Sequence, residues 1–487
     1  MTYGQTSLAS SHKSTRKFAG FRPLRFLASE TVRTMLFPIY QRRQTPSAFQ
    51  HLMELRSHEF ASLEIINKMQ WARIVKLLNH AATNAPYYRD LFRREHIALK
   101  DFRSMRDFAR IPILSKKTLQ EQPKDLLATN VDERRRQRNA SGGSTGEPVQ
   151  FYQDRFYWDY ARASQWFVES WWGIRPGDRT ASIWGCDRDL PQQTWKERLS
   201  QEICQVRTCN AFALTEQRME AFARMLMTWQ PKFVVGYASA LELFSRFLLD
   251  RPQLRIRPIA VKSTAEVLRT EQRSVIREAF DCPVYNFYGS REVNNLAAEC
   301  PTFSGLHVNT LGRLVEIVDE YGEPVVPGVP GRILVTDLTN FTMPFIRYEI
   351  QDIGSWAQKP CDCGRPFPLL SEVAGRSSDF IVTPGGRIIH GEYFTHLFYE
   401  LPQVARFQLV QNAISEVEVK IELKPGEEHL PAVELQNKMT KALGPGVNVE
   451  IKRVERIDRS VSGKHRFTVS TVSRPWSQQN THPVARA

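Results

Sequence analysis

Two groups of residues have the types and spacing to do chemistry. The first is Ser141-Gly142-Gly143-Ser144-Thr145-Gly146-Glu147-Pro148. Glycines let a backbone approach a polyphosphate closely, and the N–H groups and hydroxyls beside them donate to its oxygens. The run lacks the Gly-Lys-Ser/Thr ending of a Walker loop. Taken alone, it reads equally as a flexible connection. The second group is Cys300 with His307, followed by Cys361, Cys363 and Gly364. Three thiolates and one imidazole suit tetrahedral zinc, and a closed four-ligand set leaves no open position, so its role would be structural. The competing reading is buried free thiols.

These residues must be positioned by ordered elements. Residues 60–100 read as helical with a stop near Asn84 to Pro86, and Val149 to Tyr152 alternates like a strand. Phe222, Met225, Leu226 and Trp229 recur at helical spacing within 216–229. Strands at 233–235, 259–262 and 284–287 alternate with helices at 241–249 and 271–280, which predicts a parallel, doubly wound sheet. From Gly312 the period becomes two, predicting antiparallel strands at 314–318 and 332–335. A compact α+β unit follows, with helices near 391–400 and 431–443 and strands at 416–423 and 447–454. The fold class is therefore α/β: a large domain with mixed or parallel sheets, flanking helices and a β subdomain, plus a small mobile α+β domain. The expected boundaries are a basic extension over 1–55, the large domain over 56–378, the small domain over 379–470 and a tail over 471–487, with a hinge at Asp379.

Composition excludes several classes. Hydrophobic residues make up 42% of the 487-residue chain and charged ones 24%, which rules out wholesale disorder. No apolar run approaches the length that spans a bilayer. The net charge of +14 is concentrated: residues 1–50 hold eight basic residues and one acid, so 8 − 1 = +7 lies there. This segment reads as a solvated arm, with contact to an acidic partner or a membrane surface, or cleaved targeting, as alternatives. No groove-reading motif accompanies it, so nucleic acid is not an expected partner. Seven cysteines, an odd number in a long chain with no apolar export signal, point to a reducing, cytoplasmic compartment.

Four more segments complete an ordered set: Ser263-Thr264-Ala265-Glu266, Tyr288-Gly289-Ser290-Arg291-Glu292, Arg347-Tyr348-Glu349-Ile350-Gln351-Asp352 and Gly375-Arg376-Ser377-Ser378-Asp379, with Ser462-Gly463-Lys464 near the end. In this order they resemble the acyl-adenylate-forming superfamily, most closely its phenylacetate–CoA ligase branch and the CapK-type relatives, over roughly residues 60–470. The resemblance implies that Ser141 to Gly146 is the phosphate loop, with Ser144 and Thr145 at its hydroxyl positions. Glu147 departs from the lysine the family often has there. The resemblance also implies that Ala265 and Glu266 run along the adenine and that Tyr288, followed by Gly289 and Ser290, stacks on it. Glu292 would hold Mg²⁺, Asp352 the ribose hydroxyls, and Arg376 would reach toward the nucleotide. Lys464 would be the catalytic lysine, carried in by the small domain as a carboxylate attacks the α-phosphate of ATP. Some relatives resemble this chain in carrying zinc at the cysteine–histidine set.

The implied activity is ATP-dependent activation of a carboxylic acid, aromatic by analogy, then transfer to a thiol acceptor, coenzyme A by default. Phe151, Tyr152, Gly236 and Tyr237 are the expected acyl pocket, although the aromatics read equally as core. An amine or carrier-protein acceptor, transfer of AMP itself, and a non-catalytic nucleotide-binding scaffold are the alternatives. The sequence carries no statement of oligomeric state.

Overall fold

In the computed structural model the described residues are 29–132, 136–140, 149–184, 194–211, 214–376, 380–384, 388–390, 394, 398, 401, 403–427, 430–457 and 467–472. A short hairpin comes first, β1 (Gln137–Ala140) and β2 (Gln150–Gln153), flanking residues 141–148. Then β3 (Thr180–Trp184), β4 (Val206–Asn210), β5 (Phe233–Tyr237), β6 (Ala260–Thr264) and β7 (Val284–Ser290) pair in parallel. The chain continues through β8 (Asn294–Glu299), β9 (Leu306–Val308), β10 (Arg313–Val318), β11 (Gly331–Asp337), β12 (Tyr348–Trp356) and β13 (Leu369–Arg376). These join the same sheet, in the order β10-β11-β12-β13-β9-β8-β7-β6-β5-β3-β4. One half of the sheet is thus parallel and the other antiparallel, as the strand–helix alternation and the period of two from Gly312 predict, and the two halves form one sheet.

Alternating strand residues show why the parallel half is buried on both faces. Val234, Val261 and Val284 face a core formed with Phe222, Leu226, Leu241, Phe244, Ile276 and Phe280 of the helices Glu216–Trp229, Ala238–Leu249 and Thr270–Phe280. Their neighbours Phe233, Ala260 and Tyr285 face the opposite core, with Trp166, Phe167 and Trp172. The helix Arg155–Trp171 covers that face, and Asp154 caps it by accepting from the Tyr157 N–H at 2.8 Å. A third core, under the antiparallel half, takes Ile74, Leu77 and Leu78 from the helix Leu63–Asn84.

The chain then forms a hairpin, β14 (Phe380–Val382) with β15 (Ile388–His390), and a four-stranded sheet. Its order is β18-β17-β16-β19, from β16 (Val404–Ala413), β17 (Glu416–Leu423), β18 (Asn448–Arg453) and β19 (Thr468–Ser470). Leu435, Met439 and Leu443 of the helix Ala432–Leu443 pack on Leu409, Val417, Val419 and Ile421. The buried Gln411 side chain ties the hairpin to this sheet, accepting from the Val382 N–H and donating to its carbonyl.

The expected basic extension over 1–55 is corrected from Ser29 onward. Helices at 29–44 and 48–57 dock on the large domain. Phe37 and Phe49 contact Trp166 at ring distances of 5.8 and 4.9 Å, and Leu52 and Leu55 are buried. Charge counting missed this because the arginines lie outward while Ala48, Leu52 and Leu55 recur on one helical face. The buried Asp159 accepts from the Ser47 N–H at 3.0 Å, and its other oxygen has no hydrogen-bond partner among the described residues.

Two predictions follow from this packing. Removing residues 1–28 leaves the melting temperature unchanged, whereas removing 1–57 uncovers Trp166 and lowers it sharply or abolishes soluble expression; thermal denaturation of both truncations checks this. Burial holds the Asp159 carboxyl above its ordinary range. Its stabilising contribution is therefore present at low pH and lost as pH rises through the folded pKa. Asp159→Asn should raise the melting temperature by about 1–3 °C at pH 7, with the gain shrinking as pH falls through the raised folded pKa and gone below the ordinary carboxylate pKa.

Candidate active site and cysteine–histidine centre

The carboxyl ends of the parallel strands collect seven of the singled-out residues, as expected for ligand sites on open α/β sheets. Gly236 and Tyr237 end β5, Ala265 and Glu266 follow β6, and Tyr288 to Ser290 end β7. Ala265 has φ +66°, a conformation that non-glycine residues rarely adopt. Glu266 accepts from the Ser239 N–H at 2.8 Å, so its carboxylate caps the helix that follows β5. Sequence reasoning did not assign it that part.

Tyr288 donates its hydroxyl hydrogen to Asp352 Oδ2 at 2.6 Å. Four inter-strand steps separate β7 from β12, about 19 Å in a flat sheet. The contact therefore requires the antiparallel half to curl back over the strand ends. Residues 350–352 bulge out of pairing with β11, and Gln351 has φ +70°, which breaks the strand beside Asp352. Arg376 lies opposite Asp352 across the β12–β13 pair.

Glu292 stands on a tight turn. Gly289 cannot carry a side chain there, because a Cβ would lie 2.6 Å from the Asn294 carbonyl oxygen. The Ser290 hydroxyl accepts from the Val293 N–H. Gln153, fully buried in β2, donates to the carbonyls of Arg291 and Glu292, at 3.2 Å each, and accepts from Asn139 of β1. One amide thus couples both flanks of residues 141–148 to the turn bearing Glu292.

Beneath the turn lies the Arg313–Asp337 ion pair, 2.9 Å apart and essentially without solvent exposure. Arg313 also donates to the carbonyls of Val293 and Gly312 and to the Thr339 hydroxyl, and its guanidinium lies over the Tyr157 ring. Asp337 accepts from the Thr339 N–H, its hydroxyl and the Asn340 N–H. Asn340 in turn donates to the Tyr152 carbonyl. Burial pushes the Asp337 carboxyl up, and Arg313 and these donors pull it back. None of this was read from the sequence; the Asp337-x-Thr339-Asn340 spacing, which favours local side-chain turns, was the available signal.

The expected acyl pocket divides. Phe151 is corrected to a core residue: it points inward from β2, is fully buried and packs on Phe345. Tyr152 is partly buried. Gly236 is packed so closely that a Cβ would lie 2.9 Å from the Ile183 carbonyl oxygen. Tyr237 pairs with Trp184, ring centroids 4.4 Å apart, across the ends of β5 and β3. Ser141, Gly142, Gly143, Ser144, Thr145, Gly146, Asp379 and Lys464 lie outside the described residues. Phe467, a described residue beyond Lys464, has the Arg269 guanidinium 5.4 Å from its ring centre, so the small domain meets the segment that follows Glu266.

Cys300, His307, Cys361 and Cys363 come together, their ligand atoms all within 4.8 Å of one another. Cys363 Sγ is 3.2 Å from His307 Nε2, and the sulfurs of Cys300 and Cys361 are 3.5 Å apart. His307 Nδ1 lies 3.3 Å from the Phe367 carbonyl, which accepts its proton and leaves Nε2 a lone pair toward the thiols. Burial pushes the Cys361 thiol up, but the Thr302 hydroxyl, Cys363 and His307 pull it down to about 6. Gly364, at φ +79°, makes the turn out of the pair. By contrast, burial alone pushes Cys282 up to about 12.

Comparison with known proteins agrees with this architecture. A family model described as the CapK C-terminal domain matches residues 381–471. Protein CapK of Staphylococcus aureus is 22% identical over 418 residues, covering 83% of this chain and 89% of that protein. A phenylacetate-coenzyme A ligase of Thermus thermophilus is 25% identical over 376 residues, covering 74% and 82%. The crystal structure of 2-hydroxyisobutyryl-CoA ligase in the postadenylation state superposes with a TM-score of 0.66 at 19% identity, covering 85% and 91%. The fold is that of this CoA ligase, with a large N-terminal and a small C-terminal domain. In sequence the chain is similar to CapK and to phenylacetate-coenzyme A ligases, and its residues 381–471 match the CapK C-terminal domain.

Gln153→Leu removes the amide that donates to the Arg291 and Glu292 carbonyls and should destabilise the fold by about 1–3 kcal/mol. Arg313→Met strands Asp337 and should cost about 3–5 kcal/mol. Chemical denaturation of both variants checks the ranking.

Proposed function

We propose that the chain joins a carboxylic acid, aromatic in type, to AMP with release of pyrophosphate, and passes the acyl group to coenzyme A. The observation that carries this reading is the Tyr288–Asp352 hydrogen bond. It brings an aromatic face and a carboxylate from segments 64 residues apart to one point at the strand ends. An adenine can stack on Tyr288, and a carboxylate can accept from both ribose hydroxyls at once. The Ser141 to Gly146 backbone would donate to the phosphates, anchored through its flanks by Gln153. Glu292, on the turn that Gln153 holds, would supply a carboxylate oxygen to Mg²⁺ bound on the phosphates, an ion that offsets phosphate charge. Arg376 and Lys464 would stabilise the charge that develops as the carboxylate oxygen attacks the α-phosphate. Tyr237 and Trp184 would form an aromatic wall for the acyl group. Closure of the small domain about Asp379, with residues 56–378 as the large body, would keep water from the mixed anhydride.

The donor set fits zinc. Three thiols and an imidazole nitrogen with a free lone pair converge, and the other ring nitrogen is held by a carbonyl. We assign Cys300, His307, Cys361 and Cys363 to a structural zinc that would fasten β8 and β9 to the segment before β13. Cytoplasmic residence belongs to the same reading, since ATP and coenzyme A are found there. Among the described residues no helix is long and apolar enough to cross a membrane. The alternative, a second acceptor over the same first half-reaction, is an amine, a carrier-protein thiol or a sugar-linked group.

The test is pyrophosphate release with ATP, Mg²⁺ and a panel of aromatic and aliphatic acids, with and without coenzyme A, followed by product mass. Acid-dependent release and an acyl-CoA product are expected. An acyl-AMP that coenzyme A does not consume would move the reading to the second acceptor. No acid-dependent release, with ATP still bound, would reject acid activation. Lys464→Ala should lower release at least about 100-fold while ATP binding stays near wild type. Metal analysis should find about one zinc per chain, lost in Cys361→Ser/Cys363→Ser.

A further inference from the structure

The site leaves one surface unexplained. The helix over 29–44 turns Phe37 and Gln41 inward and exposes Met35 (60%), Leu36 (49%) and Ile39 (55%). Met35 and Ile39 are four residues apart, so they share a face, which continues to the exposed Arg42 and Arg43. Beside it runs the helix Trp195–Cys204, joined to it by the Tyr40–Ser200 hydrogen bond at 2.8 Å. Its exposed face carries Trp195 (70%) and Leu199 (51%), again four residues apart. Lys196 and Arg198 are exposed beside them, with the Lys196 ammonium 5.7 Å from the Trp195 ring centre. Ile39 and Leu199 each immediately precede a member of the hydrogen-bonded pair, so the two apolar faces lie on neighbouring helices.

The acids on these helices are engaged elsewhere. Glu30 pairs with Arg33, Glu197 holds the Thr194 cap, and Glu202 pairs with Arg207. The chain enters this surface from residues 1–28, which hold Lys13, Arg16, Lys17, Arg22 and Arg25, no acid, and Phe18, Phe21 and Phe26. An exposed tryptophan and aliphatic side chains rimmed by basic residues match the chemistry of the headgroup region, where apolar insertion and attraction to anionic lipid act together. An acidic protein would answer the charge, but not the depth of apolar exposure beside a tryptophan.

We propose that the face formed by the helices at 29–44 and 195–204 docks on an anionic lipid bilayer. The basic residues within 1–28 add to the attraction. The enzyme would then work at a membrane surface without crossing it.

Co-sedimentation of the full chain with phosphatidylcholine vesicles, and with vesicles containing one-third phosphatidylglycerol, tests this. Binding is expected only to the anionic vesicles, and should weaken about tenfold or more at high salt. The variant Ile39→Ser/Trp195→Ser/Leu199→Ser should weaken it by about tenfold or more and keep the wild-type melting temperature and pyrophosphate release. Arg42→Glu/Arg43→Glu should do the same. Equal binding to neutral vesicles, no binding, or wild-type binding by the triple variant overturns the proposal. Binding that depends wholly on residues 1–28 while the triple variant is unaffected also overturns it, assigning the effect to the leader. Lipid-free dimers of the wild type that the triple variant does not form would overturn it in favour of a second copy as the occupant.

Discussion

A single buried ion pair holds the candidate site in register. Arg313 begins β10 and Asp337 ends β11, and together they are shut away from water. Taking two charges out of water is costly unless every remaining donor and acceptor is answered. Here the guanidinium answers carbonyls at Val293 and Gly312 and Asp337 Oδ1 collects Thr339 and Asn340, while Asp337 Oδ2 has no hydrogen-bond partner among the described residues. The pair therefore fixes three things at once: the turn carrying Glu292, the 337–340 corner, and, through Asn340, the strand β2 that follows residues 141–148. A well-packed apolar pair could fill the same volume but could not specify those three backbone positions.

Gln153 extends that constraint. Its amide reaches the Glu292 turn from β2 and meets Asn139 on β1, so the flanks of residues 141–148 and the turn bearing Glu292 are braced by one residue. The curled antiparallel half adds the third part, because only that curvature brings Asp352 to Tyr288. Positioning in this molecule rests mainly on buried polar groups that touch no substrate, which suits a reaction that depends on orientation and electrostatics.

Legibility in the sequence followed locality. The helix at 216–229 and the strand at 416–423 were readable to the residue, because amphipathic period and turn chemistry are local. The antiparallel strands from β8 to β9 and β12 to β13 were not. They are short or bulged, and their pairing joins residues far apart in the chain. Cys300, His307, Cys361 and Cys363 were recognisable as a set by residue type, and their convergence depends on β9 pairing with β13. The Arg313–Asp337 pair left no periodic trace, since both residues look like ordinary surface charges in a one-dimensional reading. Phe151 misled for the opposite reason: an aromatic beside a candidate loop fits a pocket wall and a core equally, and only its inward direction on β2 decides. The helices from Ser29 to Ser57 misled because charge count outweighed their apolar face.

The central claim is that the Tyr288–Asp352 contact marks the nucleoside position. The most direct measurement is the affinity of the folded protein for a non-hydrolysable acyl-adenylate analogue by calorimetry, in wild type and in Asp352→Ala. The account predicts that the wild type binds and that Asp352→Ala binds at least about tenfold more weakly with its fold intact. Equal affinity in the two proteins would contradict it.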